Sequence, residues 1–239
     1  MGSMPHTRST PILTLVAMFA FAANSLLCRL ALGDGQIDAA SFTTIRVLAG
    51  ALTLSLFMLP RWRSGGHRER VNWRSASMLF AYMVFFSFAY LSLGAGTGAL
   101  LLFGAVQVTM ILAALRAGER FNVLSWCGFI LAVGGLVYLV SPGITAPHPL
   151  GAGLMIIAGF AWGLYSLVGK RASNPLEATA HNFLLAVPMA AAVSLLFLGQ
   201  LQISPRGLAL AMASGALASV TTLGGIALVL LQRALPANR

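Results

Sequence analysis

The residues of this sequence whose types and spacing could do chemistry are aromatic and neutral polar side chains inside long apolar segments. Trp162 and Tyr165 share one helical face with Ala158 and Gly169, because these positions follow the spacing i, i+4, i+7, i+11. The other candidates of this kind are Phe21, Asn24, Tyr82, Phe86, Tyr90 and Gln107. Such groups stack on apolar ligands and exchange hydrogen bonds with them. They predict non-covalent recognition of a small molecule.

Depth within the segments favours a cavity for these side chains. Trp162 lies near the centre of its segment, the wrong depth for an aromatic at a membrane interface. At an offset of 141 residues, Phe21 corresponds to Trp162 and Asn24 to Tyr165. We expect these four to approach one another near the midplane, beside Tyr82, Phe86 and Gln107. The alternatives are ordinary packing for the aromatics and an interhelical hydrogen bond for Asn24 or Gln107.

Arg46 is the candidate for a charged interaction, because it lies near the middle of an apolar segment, where an unpaired charge costs several kcal/mol. One hypothesis makes it the counter-charge of a ligand carboxylate, or a gate. The other makes it a structural tie to carbonyl groups of a neighbouring helix, or a side chain that extends toward Asp38. Both stay open at this stage.

No set of residues suggests catalysis or a cofactor. The sequence lacks the common metalloprotease, serine hydrolase and phosphate-loop motifs, and its cysteines lack metal-ligand spacing. Its five acids, Asp34, Asp38, Glu69, Glu119 and Glu177, fall in loops or at segment ends. The sequence therefore predicts no enzyme, no metal and no cofactor, and it argues against a proton relay through a membrane carboxylate.

The elements that must position these residues are membrane spans. Hydrophobic residues make up 58% of the chain and charged residues 8%. A soluble domain carries about a quarter charged residues, so most of this chain is predicted to lie in a lipid bilayer. The apolar runs are approximately 11–32, 38–59, 76–93, 98–115, 123–140, 150–169, 178–198 and 207–232. The fold predicted is an all-α polytopic membrane protein with about eight spans.

The basic residues predict the orientation of these spans. The net charge is +10, and twelve of the fifteen Lys and Arg residues fall on the tails and the loops of one side. Basic residues mark the cytoplasmic side of a membrane protein, so both termini are predicted to be cytoplasmic. This distribution explains the charge without a nucleic-acid partner. Residues 1–10 form a tail that begins with Met1-Gly2-Ser3, which has the form of an expression-tag remnant.

The chain also contains an inverted repeat with a shortfall. "FAFAANSLLCR" (19–29) aligns with "FAWGLYSLVGK" (160–170) at an offset of 141, and later matches have offsets of 139 and 132. Five spans separate the starts of the two copies, so the copies run in opposite directions. However, Gly134-Gly135 matches Gly224-Gly225 at an offset of only 90, which leaves about 42 residues missing near Ser219, nearly two spans. The predicted units are a first repeat of five spans, 11–142, and a shortened second repeat of three spans, 150–232.

These features resemble the drug/metabolite transporter superfamily, in particular its EamA-type members, which have ten spans in two five-helix repeats. The resemblance rests on "AANSLLCRLAL", "SFTTIRVLAGAL", "GTGALLLFGAVQVTMIL" with the following "GER", and "GFAWGLYSLVGK", in that order. It implies a multi-pass protein of a bacterial inner membrane that exports small metabolites, as YddG-type exporters do for aromatic amino acids. Many members have a proline where this chain has Val106-Gln107-Val108.

Two functional hypotheses remain at this stage. The first is an exporter of small metabolites, most simply amino acids including aromatic ones, that works by alternating access; other neutral or drug-like compounds are the alternative substrates. The second is a non-transporting paralogue or an assembly partner, which the shortfall favours. If the shortfall is a true deletion, a homodimer could complete the pore, although no residue requires it.

Overall fold

The protein is a bundle of eight α-helices in the computed structural model, which describes residues 9–63, 69–140 and 147–234. The N-terminal tail up to residue 8 and its tag remnant lie outside the described residues. The helices are α1 Ser9–Leu32, α2 Ala39–Arg63, α3 Trp73–Ala89, α4 Ala95–Arg116, α5 Val123–Val140, α6 Pro149–Gly169, α7 Pro175–Leu196 and α8 Pro205–Ala234. Each lies on one of the eight predicted spans, so the all-α membrane fold is confirmed.

Four helices are long and apolar enough to cross a membrane, by length and composition within the described chain. They are α2, α4, α6 and α7, and shorter apolar stretches occur at Met18–Leu32 and Val123–Gly135. These helices expose many large apolar side chains, including Phe19 and Leu131. Exposed apolar surface of this extent is what a lipid environment requires.

Helix ends follow local hydrogen-bonding signals. The Asn72 side chain accepts from the backbone N–H of Ser75 at 3.1 Å, which starts α3 at Trp73 rather than at the predicted residue 76. At the end of α4, Gly118 has a φ of +83°, a value that suits glycine, and the N–H of Glu119 reaches back to the Ala114 carbonyl at 3.0 Å. The "GER" segment therefore begins with the turn that terminates α4.

Helix packing has the pattern of an inverted repeat. The third helix of the first repeat, α3, packs on α6 and α7, the first two helices of the second repeat. The third helix of the second repeat, α8, packs on α1 and α2, the first two helices of the first repeat. Exchanging α1 with α6, α2 with α7 and α3 with α8 converts one set of contacts into the other. The α8 helix thus occupies the place that corresponds to α3.

The place that corresponds to α4 is empty among the described helices. The α4 helix packs on α6, where Gly159 and Gly163 allow close approach. A β-carbon at Gly163 would lie 2.7 Å from the Thr109 side chain. At the offset of 141, Gly159 and Gly163 correspond to Met18 and Ala22 of α1; Met18 is 64% exposed and Ala22 is also exposed.

The α8 helix runs without a break through the predicted junction at Ser219. It contains 30 residues and would be about 45 Å long at 1.5 Å per residue, which exceeds a hydrocarbon core of about 30 Å. Ser219 itself is buried. The side chains of Gly224-Gly225 and their neighbours lie outside the described residues. A single long helix is the geometry expected when the start of one span continues directly into the end of another.

Candidate functional site

Three aromatic rings from different helices meet near the middle of the bundle. Phe21 of α1 lies 6.5 Å from Trp162 of α6 between ring centroids, in an edge-to-face arrangement, and Tyr82 of α3 lies 4.7 Å from Trp162. Phe21 and Trp162 are the repeat-related pair at the offset of 141. The contact therefore joins equivalent positions of the two repeats. We call Phe21, Tyr82 and Trp162 the aromatic floor.

A cavity of about 1340 Å³ lies on one side of this floor. Phe21, Trp162 and Tyr165 line its inner part. Its mouth carries Arg70, Arg74, Lys170 and Arg171, and we call this end of the bundle the basic end. Ligand pockets usually measure about 300–1,000 Å³, so the space accommodates a small molecule together with water.

Polar side chains on the cavity wall come from α3, α6 and α7. The Tyr165 hydroxyl donates to Thr179 Oγ1 at 3.3 Å, and Asn182 Nδ2 donates to Ser75 Oγ at 3.1 Å. Thr179, Asn182 and Ser75 also line the cavity, although the sequence did not single them out. These groups are neutral, so they can orient a ligand by hydrogen bonding without a net charge.

Glu69 joins two loops at the mouth of the cavity. Its carboxylate accepts hydrogen bonds from the backbone N–H groups of Ser173 at 3.3 Å and Asn174 at 3.1 Å, and from the Ser173 hydroxyl. The α2–α3 loop is therefore tied to the α6–α7 loop beside the opening. Contacts between residues more than a hundred positions apart leave no local signal in a sequence.

The opposite end of the bundle is closed by a pairing of two other loops. Asp38 donates its backbone N–H to the Gln202 carbonyl at 2.9 Å and accepts from the Gln202 N–H at 3.1 Å through its carboxylate. Ser204 donates its N–H to the Gln36 carbonyl at 2.9 Å. Both connections join the α1–α2 loop to the segment before α8. The cavity thus opens at one end of the bundle, whereas hydrogen bonds between these two loops close the other end.

A buried polar cluster lies between the floor and the closed end. The Ser214 hydroxyl of α8 donates to Asn24 Oδ1 of α1 at 2.7 Å and lies 3.4 Å from Cys28 Sγ. Asn24, Cys28 and Ser214 are all buried. Asn24 therefore makes the interhelical hydrogen bond that was the alternative to a cavity role, and its partner Ser214 was not identified from the sequence. At the offset of 132 that matches α3 with α8, Ser214 corresponds to Tyr82. This correspondence is the sequence signal that could have identified Ser214 as a central residue.

Arg46 lies beside this cluster and is fully buried at 0% exposure. Its Nη2 donates to the Tyr82 hydroxyl at 3.2 Å, and its guanidinium carbon lies 4.7 Å from the centre of the Phe86 ring. Its Nε and Nη1 have no hydrogen-bond partner among the described residues. Asp38 instead accepts from Ser41 and Gln202. The structure thus gives no tie from Arg46 to Asp38 or to a carbonyl group in the described chain.

The predicted site residues lie in three places: on the cavity wall, buried beyond that wall, and, for Gln107, on the exposed face of α4. Phe21, Trp162 and Tyr165 line the cavity. Asn24, Arg46, Tyr82, Phe86 and Tyr90 are buried beyond its wall, and the ring of Phe86 contacts those of Tyr82 at 5.3 Å and Tyr90 at 4.8 Å.

Gln107 does not join the others, which corrects the sequence-based expectation that it lies beside the aromatic residues. Its side chain is exposed, because α4 turns Leu101, Ala105 and Thr109 inward and position 107 falls on the opposite face.

Metal ligation finds no support in the described chain, where no three His, Cys, Asp or Glu side chains cluster. The arrangement offers stacking surfaces, neutral hydrogen-bonding groups and one buried guanidinium. Groups of these types can bind and orient a molecule by stacking and hydrogen bonding.

The chain matches the model of a known protein family. The model of the EamA-like transporter family matches residues 8–141, which is more than half of the 239-residue chain.

Comparison with individual proteins gives a relative and a structural neighbour. An uncharacterized protein of Pseudomonas aeruginosa is 53% identical over 216 residues, which cover 90% of this chain and 75% of the relative. A solved structure, described only as the crystal structure of a protein, superposes with a TM-score of 0.52 over 93% of this chain and 91% of its own. Its sequence is 20% identical, so the similarity concerns the fold.

Proposed function

Because this chain belongs to the EamA-like transporter family, we propose that it carries small metabolites, most simply amino acids including aromatic ones, out of the cell by alternating access. The family is generally non-enzymatic, and it indicates a transporter of small molecules in a membrane.

The single observation that carries the proposal is the contact between Phe21 and Trp162 at the inner end of an open cavity. Equivalent residues of two inverted repeats meet there, and transporters built from such repeats bind their substrates near the midplane between them. The tied loops at the far end make this arrangement a state open to one side only. Alternating access requires a second state in which the mouth closes and the far end opens.

The chemistry of the cavity supports the choice of substrate. Its inner wall consists of aromatic rings that stack on an aromatic or apolar body, with Tyr165, Thr179 and Asn182 as neutral hydrogen-bonding groups. Stacking of this kind contributes about 0.5–1.5 kcal/mol for each ring pair. Among the described residues that line the cavity, Glu69 and Glu119 belong to loops and not to the aromatic floor, so no carboxylate on the floor selects a cation or relays a proton.

The distribution of basic residues supports transport from the cytoplasm outward. The basic end corresponds to the cytoplasmic side under the positive-inside rule, with both termini on that side of a bacterial inner membrane. The cavity then faces the cytoplasm, where a metabolite to be exported is available.

The test is efflux of labelled L-phenylalanine and L-threonine from proteoliposomes loaded with both, with and without a pH gradient. We expect flux of L-phenylalanine above that of protein-free liposomes, without a requirement for the gradient. Absence of flux for every amino acid tested contradicts the proposal and favours the second hypothesis, a non-transporting paralogue or an assembly partner. Flux of neutral drug-like compounds alone would keep transport and overturn the amino acid assignment.

A further inference from the structure

We infer that Arg46 binds the carboxylate of the transported molecule, in a second, closed half of the path that lies beyond the aromatic floor. This inference deepens the proposed function and rests on it for the identity of the ligand. The carboxylate would reach Arg46 only past the wall of the open cavity, because Arg46 does not line that cavity.

The first observation is the incomplete hydrogen bonding of a fully buried guanidinium. Arginine stays protonated in proteins and carries five N–H donors. Arg46 uses one nitrogen for the Tyr82 hydroxyl, while Nε and Nη1 are buried without an acceptor among the described residues. Buried N–H groups without acceptors are costly, and more so on a charged group. A ligand carboxylate that accepts from Nε and Nη1 would remove this free-energy cost. A solvated arginine bears no such cost, so it gains less from the same ligand.

The second observation is the chemistry around the guanidinium. The ring centres of Phe86 and Tyr82 lie 4.7 Å and 5.6 Å from its central carbon, within the range of a cation–π interaction. These rings hold the cation in place but do not neutralise its charge. The polar cluster beside it, in which Cys28 lies 3.4 Å from Ser214, supplies thiol and hydroxyl groups rather than a carboxylate. One uncompensated positive charge beside aromatic rings matches a monoanionic carboxylate on an aromatic or apolar body better than it matches a dianionic phosphate.

The third observation is the position of the site. Tyr82 lies between the cavity wall and Arg46, because its ring contacts Trp162, which lines the cavity, and its hydroxyl accepts from Arg46. A molecule that displaces Tyr82 from Trp162 therefore reaches Arg46 next. Beyond Arg46 the path is closed by the loop pairing of Asp38 with Gln202. The arginine is thus placed where a carboxylate would pass from the open cavity to the far side.

The experiment measures ligand binding to the purified protein by the shift of its melting temperature, which does not depend on transport. The probes are L-phenylalanine and benzoate, each compared with its uncharged-carboxyl analogue, L-phenylalaninamide and benzamide, in chloride-free sulfate buffer. The variants are Arg46→Gln and Arg46→Lys. The matched control is Arg29→Gln, because Arg29 is a partly buried arginine whose Nη1 already donates to the Tyr90 carbonyl at 3.1 Å.

We expect both carboxylates to stabilise the wild-type protein at concentrations where the amides do not. Arg46→Gln should raise the half-maximal concentration by about tenfold or more, the loss expected for one charged hydrogen-bonded pair. Arg46→Lys should retain part of the affinity, and Arg29→Gln should behave as wild type. Equal binding of amides and carboxylates by the wild-type protein overturns the inference even if Arg46→Gln fails to fold.

Three further results separate the other possibilities. Unchanged carboxylate affinity in a folded Arg46→Gln protein overturns the inference and leaves the proposed function standing. Stabilisation by chloride that equals that by benzoate overturns it as well, since the site would then hold an inorganic anion. Binding that depends on Arg46 without any flux in proteoliposomes supports the carboxylate site and contradicts transport.

Discussion

Replacing Trp162 with alanine removes the ring at which the two repeats meet. In the wild-type protein this ring contacts Tyr82 at 4.7 Å, Tyr165 at 5.6 Å and Phe21 at 6.5 Å. It also forms part of the cavity wall, so one of its surfaces is available to a ligand. An aromatic substrate that stacks there loses one ring pair in the variant, whereas threonine has no ring to lose.

The expected size of the effect follows from that single pair. One aromatic pair contributes about 1 kcal/mol, which corresponds to about a fivefold change in an equilibrium or rate constant. L-Phenylalanine efflux should therefore fall about fivefold relative to L-threonine efflux in Trp162→Ala. Trp162→Phe keeps a stacking surface and should lose less than Trp162→Ala.

The assay is efflux of both amino acids from the same proteoliposomes, expressed as the phenylalanine-to-threonine ratio. A ratio cancels differences in the amount of reconstituted protein. The matched control is Phe160→Ala on the same helix, whose side chain is 38% exposed and lies outside the cavity. An unchanged ratio in Trp162→Ala, or the same change in Phe160→Ala, would refute the assignment of Trp162 to the substrate path.

Two other predictions concern packing and closure. Gly163→Val should lower the melting temperature by several degrees, because its β-carbon would lie 2.7 Å from a threonine side chain of α4. The control Gly153→Val on the same helix meets open space and should change the melting temperature little. Equal melting temperatures of the two variants would contradict the close contact of α4 with α6. Asp38→Asn should increase labelling of buried Cys28 by a water-soluble maleimide, in a variant whose other cysteine is replaced, because asparagine is a weaker acceptor for the loop pairing. Asp34→Asn is the control from the same loop, and equal labelling in both variants would show that the loop pairing does not close that end.

The positions of the helices could be predicted from the sequence because burial in lipid leaves long apolar runs. The run 123–140 coincides with α5, and the others agree within a few residues. At α3, for example, the Asn72 cap begins the helix three residues before the predicted run. A cap acts through one polar side chain, so it does not appear in an apolar pattern.

The contact at the centre of the site could be predicted because the repeat carried information about it. Phe21 and Trp162 were paired by their offset, and they meet in the structure. Gln107 was predicted to lie at the site only because of its depth in α4. Depth along a helix does not determine which face of that helix packs inward. The loop contacts of Asp38 and Glu69 join residues far apart in the chain, and such pairings depend on the tertiary arrangement of helices.

Reciprocal accessibility of the open cavity and of the closed half of the path tests the central claim most directly. In a protein whose Cys127 is replaced by serine, Cys28 reports on the closed half, and a cysteine introduced at Ala114 reports on the cavity. Saturating L-phenylalanine should increase maleimide labelling at Cys28 and decrease it at position 114, because one half opens as the other closes. Labelling that stays constant at both positions, or that rises at both, would contradict a single path with alternating access through the aromatic floor.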